Sequence, residues 1–138
     1  MRVRRLALEY ETMRTRGNLV QLKRYRLKER TRHLAQLERM IADFERMAQE
    51  LSVQIEAEER KSGITDHEHF AYPTFARAAR QRRDNLLASR DNLLQQREDA
   101  RHAVAEARAE LEKAEQLDSR DGRAQEPDAT SARGALIG

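Results

Sequence analysis

Three groups of side chains in this sequence have types and spacing that invite a chemical reading. The first is Asp66, His67, Glu68 and His69. Two His at i and i+2 share a face only where the chain is extended, so they could ligate a metal from a loop but not from one side of a helix. A polar turn capped by Asp66 needs no more than these residues, and no metal is expected. The second group is Lys23, Arg24, Arg26, Lys28 and Arg30, which crowd two helical turns with only Glu29 between them. Such charge suits an acidic partner surface or anionic lipid headgroups, and a solvated basic arm is the plainer alternative. The third is Phe70, Tyr72 and Phe75, half of the chain's six aromatic residues within six positions. An apolar cluster at a connection marks a candidate partner-binding surface. Phe75 has a second reading, as a plug packed on Ile55.

A further basic cluster, Arg77, Arg80, Arg82 and Arg83, is spread around its helix by steps of three, two and one. Glu56, Glu58 and Glu59 are its expected ion-pair partners. No phosphate-cradling Gly-rich loop, GxSxG elbow or HExxH motif occurs, and there is no Cys to serve as nucleophile or zinc ligand. Neither an enzyme nor a cofactor nor a small-molecule substrate is expected. Nucleic acid is not expected either, because no basic stripe is interleaved with stacking aromatics.

Composition agrees. Of the 138 residues, 37% are charged and 4% aromatic, with no Trp. Bulky material is too scarce for the thick core that surrounds a deep pocket. No run of about 18 apolar residues is present to span a membrane, so the chain reads as soluble and cytosolic. Net charge is uneven: residues 1–30 hold ten Lys or Arg against three Glu, and the remainder holds 17 against 21 acids.

The elements that position these groups follow from where Gly and Pro fall. Residues 18–62 and 74–121 contain neither, and both stretches are rich in Leu, Ala, Arg, Glu and Gln. Those residues lose little side-chain freedom in a helix, so the sequence predicts helices over about 16–62 and 74–119 and no strands. The first carries a heptad seam: Val20, Leu27, Leu34, Ile41, Ala48 and Ile55 at a, with Leu37, Phe44 and Leu51 at d. Lys23, Arg30 and Glu58 occupy the outer d positions, so pairing should be tightest from Leu34 to Ile55. The second stripe is thinner: Phe75, Ala79, Leu86, Leu93, Ala100, Val104, Ala107, Leu111 and Ala114, with Ser89 and Gln96 at intervening positions. A connection at 63–73 is short enough for antiparallel neighbours. The expected fold is therefore all-α, a long antiparallel two-helix coiled-coil hairpin over 16–120, with a basic extension at 1–15 and a disordered tail at 121–138.

Several nonrepetitive runs add a family resemblance: IADFERM at 41–47, FAYPTFA at 70–76 and QRRDNL at 81–86. Together with MRTRGNLVQLKRYR from Met13, they resemble the alphaproteobacterial branch of the FliJ family, the coiled-coil component of the flagellar type III export apparatus. The match covers about residues 13–118; residues 1–12 depart from it, as an upstream start site would leave them. The resemblance implies a nonenzymatic hairpin similar in form to the central stalk of rotary ATPases. Its implied partners are the flagellar export ATPase, the cytoplasmic domain of the export gate and export chaperones. The implied place is cytoplasmic, peripheral to the inner membrane at the flagellar base. A general coiled-coil scaffold whose basic arm tethers to nucleic acid or membrane is the alternative.

Overall fold

The structure is a computed structural model that describes residues 2–125, with side chains from 3 to 122. It contains two helices, α1 (Arg2–Ser62) and α2 (Thr74–Gln125), which run antiparallel and pack on each other. No strand occurs among the described residues, and no helix is long and apolar enough to cross a membrane. The tail expected to be disordered falls largely outside the described residues, and α2 continues to Gln125, past the expected end near 119.

α1 starts at Arg2, well before the expected boundary near 16. Gly17 does not break the helix, because a helix-interior Gly costs only about 1 kcal/mol and the flanking Leu, Ala, Arg and Glu residues carry the helix through it. The other end of α1 is a true stop. Gly63 has φ +72°, the left-handed position that follows many helices, and its N–H donates to the Glu59 carbonyl at 2.9 Å. The Ser62 hydroxyl accepts the next N–H, from Ile64, at 3.1 Å. Asp66 then caps the turn by accepting the Glu68 N–H at 3.1 Å, and the Pro73 carbonyl accepts the first bond of α2 from the Arg77 N–H at 3.0 Å.

The contacts divide into two compact units. The turn unit, residues 32–102, buries Leu37, Ile41, Leu93 and Ala100, with Leu34, Phe44 and Leu94 packed against them. Ala48, Ile55, Ala76 and Ala79 are buried toward its closed end. In the terminal unit, residues 1–31 with 103–138, Val20, Val104, Ala107 and Ala114 are buried. Every apolar heptad position expected on α1 is buried or half-buried.

The stripe on α2 needs two corrections. Ala76, at 0% exposure, takes the position assigned to Phe75, which is rotated outward and 55% exposed. Steps of three and four from Ala76 then pass through Arg83, Arg90 and Arg97, all half-buried, whereas Ser89 and Gln96 are exposed. Arginine can occupy such a seam because its aliphatic stem covers apolar surface while its head reaches outward.

The two glycines at α1 should respond with opposite sign to alanine. An added Cβ meets nothing within 4 Å at either site, so backbone preference decides. Gly17→Ala should raise stability by about 0.5–1 kcal/mol, and Gly63→Ala should lower it by about 1–2 kcal/mol because of its positive φ. Urea unfolding of both variants checks the pair; equal shifts in one direction would contradict it.

Candidate functional site

The candidate site is a surface, and two regions of sequence nominate it. At the turn, the three aromatic residues go three different ways. Tyr72 is buried, 4% exposed, and its hydroxyl donates to Glu59 Oε1 at 2.8 Å. Arg80 Nε in turn donates to the same hydroxyl at 3.1 Å, and its Nη2 lies 3.4 Å from Glu59 Oε1. The Arg80 guanidinium is held above its ordinary pKa, first by the hydrogen bond with Tyr72 and less by Glu59, against some desolvation. Tyr72 therefore closes the hairpin end from within and is withdrawn from the partner-binding set.

Phe70 is the opposite case. It is 93% exposed, and its ring stacks on His69 with centroids 4.7 Å apart and an interplanar angle of 23°. His69 is itself fixed: its Nδ1 accepts the Ala71 N–H at 3.0 Å, and Arg77 Nη2 donates to its carbonyl at 3.3 Å. Phe75 presents itself from the first turn of α2 and does not plug the seam on Ile55. Asp66 Oδ1 and His69 Nδ1 accept backbone N–H groups within the turn, and no three His, Cys, Asp or Glu side chains converge as metal ligands among the described residues.

The second basic cluster is only partly paired as expected. Arg80 meets Glu59, but Arg83 turns to the Ser52 hydroxyl at 3.4 Å and to Asp84 at 3.7 Å. Glu56 and Glu58 pair along α1 with Arg60 and Lys61 instead.

In the terminal unit the basic run meets acids from α2. Lys23 Nζ donates to Glu110 Oε2 at 2.7 Å, and Arg24 Nη2 lies 3.6 Å from Glu115 Oε1. Arg26 and Arg30 line a shallow groove with Glu106 and Glu110, while Lys28 is exposed. Glu110 is held below the usual carboxylate range, mainly by the Lys23 hydrogen bond and then by its charge, with Arg26 and Lys113 adding to it. A count of charge by chain segment missed this offset, because residues 103–121 supply six acids to the surface that residues 16–30 make basic. Spacing alone could have signalled it: antiparallel folding about the 63–73 turn sets Lys23 near residue 110.

Comparison with known proteins finds no matching family model, no similar curated protein and no similar solved structure.

Two measurements follow. Tyr72→Phe removes a hydroxyl that both Glu59 and Arg80 use, and should cost about 1–3 kcal/mol, whereas Phe70→Ala should leave the melting temperature within about a degree. Thermal melts of both variants should show that contrast, and equal losses would place Phe70 in the packing. For Glu110, the lowered folded pKa means that its contribution to stability is complete above the unfolded value of about 4.3 and is lost as pH falls through the folded value. The wild type should therefore lose more stability than Glu110→Gln between pH 5 and pH 2, a difference that shrinks in a Lys23→Met background, where only Arg26 and Lys113 remain to favour the carboxylate.

Proposed function

We propose that this chain is a nonenzymatic coiled-coil component of a flagellar-type protein export apparatus, working beside the export ATPase and the cytoplasmic domain of the export gate and helping to pass on chaperoned substrates. The observation that carries this reading is the FAYPTFA run at 70–76. It combines the nonrepetitive part of the FliJ resemblance with a turn whose Phe70 and Phe75 are exposed in a chain of six aromatics. A fixed aromatic at a hairpin end suits a protein partner, since aromatic anchors dominate many interfaces.

The basic run supports a second contact of the same kind, in a reduced form. Lys23 and Arg24 are engaged by Glu110 and Glu115, and Arg26 and Arg30 stand beside Glu106 and Glu110, so the exposed Lys28, flanked by those two arginines, is the cation most open to an acidic partner such as the ATPase. In this reading the protein acts in the cytoplasm, peripheral to the inner membrane.

Deleting the gene should abolish motility and filament secretion while leaving growth intact, and a motile deletion strain would remove the proposal. In the purified system, Phe70→Ala should weaken binding to the gate's cytoplasmic domain by about tenfold or more, the range of an interface hot spot. Undiminished gate binding by that variant would take the turn out of the function.

A further inference from the structure

The two lateral edges of the turn unit are chemically unlike. Along one edge, acids of α1 meet arginines of α2 across the seam: Glu38 with Arg101 at 4.0 Å, Glu45 with Arg90 at 3.5 Å, and Glu59 with Arg80 at 3.4 Å. Glu38, Glu45 and Glu59 are separated by seven and fourteen residues, so they fall on one line along α1. In these three pairs the charges of that edge are satisfied within the chain.

The opposite edge carries Met40, Met47 and Gln54, again seven residues apart, and all three are exposed. Here the helices leave an open groove floored by the half-buried Leu51 and Leu86. Glu50 stands on the α1 wall and Arg82 on the α2 wall. Neither has a hydrogen bond or ion pair among the described residues. The groove therefore offers an apolar floor, two flexible thioethers at or beside it, one unpaired acid and one unpaired base.

We propose that this groove is a self-association site, at which two copies of the chain pair about a two-fold axis parallel to the helices of the turn unit. α1 of one copy lies over α2 of the other, with both turns at the same end. Exchange of the two walls is what such an axis does, so a surface with an acid on one wall and a base on the other is its own complement. Each copy's Glu50 meets its mate's Arg82, and this occurs twice. The reversed pairing, α1 over α1, sets Glu50 against Glu50 and Arg82 against Arg82, and like charges at close quarters disfavour it. The ion-paired edge offers no such match, since those acids and bases are engaged within the chain. Methionine suits the contact because its unbranched side chain adapts to an uneven surface. The patch is short, so the association is weak and concentration-dependent. None of this rests on the export reading.

Sedimentation equilibrium of the purified full chain, from about 1 µM to about 500 µM, reads the result directly. The mass should climb from 16.1 kDa toward twice that value. Glu50→Arg and Arg82→Glu should each stay monomeric across the range, with far-UV circular dichroism and melting close to wild type. An equimolar mixture of the two variants should recover the dimer, because in the mixed pair each Arg again faces a Glu. Three results would overturn the proposal: a wild type that remains monomeric, a dimer that survives either charge reversal, or a mixture that stays monomeric.

Discussion

Everything in this protein depends on a seam to which α1 brings mostly branched side chains and α2 mostly alanine, with Leu93, Val104 and a line of arginines among them. α1 contributes Val20, Leu37, Ile41 and Ile55, and α2 answers with Ala76, Ala79, Ala100, Ala107 and Ala114, all buried. Setting large against small brings the two backbones close without voids. It also spreads the burial thinly, and among the described residues no large side chain is completely enclosed. Stability then comes from the number of shallow contacts rather than from a central core, and function has to be performed by surfaces.

The arginines of the seam have a second consequence. Arg83, Arg90 and Arg97 recur every seven residues, and each must place a permanently charged head beside apolar neighbours. Leaving such a group buried and unpaired is costly, so the heads of Arg83 and Arg90 travel to one edge, where Ser52 and Glu45 receive them. Arg80 and Arg101 reach acids on the same line of α1. The seam thus dictates which edge of the turn unit is sealed by charge and which is left as a groove.

Much of this was legible in the sequence, but unevenly. The α1 heptads were clear because aliphatic residues fill every a position from Val20 to Ile55 and Leu37, Phe44 and Leu51 fill the central d positions. On α2 a search for apolar residues passes over arginine, so Arg83, Arg90 and Arg97 escaped notice and the start of the stripe fell on Phe75 instead of Ala76. Close approach near the turn favours the residue with the smallest side chain, a constraint that hydrophobicity does not express. Tyr72 and Phe75 could not be told apart by composition. What separates them is a hydroxyl that Glu59 and Arg80 can both reach, and that required the fold of the turn. Charge counted along the chain failed for the related reason that Lys23 answers to Glu110, 87 residues away.

The turn shows how little of its composition folding alone requires. Gly63 ends α1, Asp66 turns the backbone, Arg77 holds the His69 carbonyl and Tyr72 closes the seam. Each of these residues has a task within the chain. Phe70 has none of comparable weight: its ring lies against His69 but stays almost wholly in water. A single exposed apolar side chain is ordinary on a mobile loop, where it samples many orientations. Here the neighbouring backbone is tied at His69 and Ala71, so the direction in which the side chain leaves the chain is set. Ordering a side chain before a partner arrives lowers the entropy lost on binding, and that supports reading Phe70 as a residue retained for contact and not for packing.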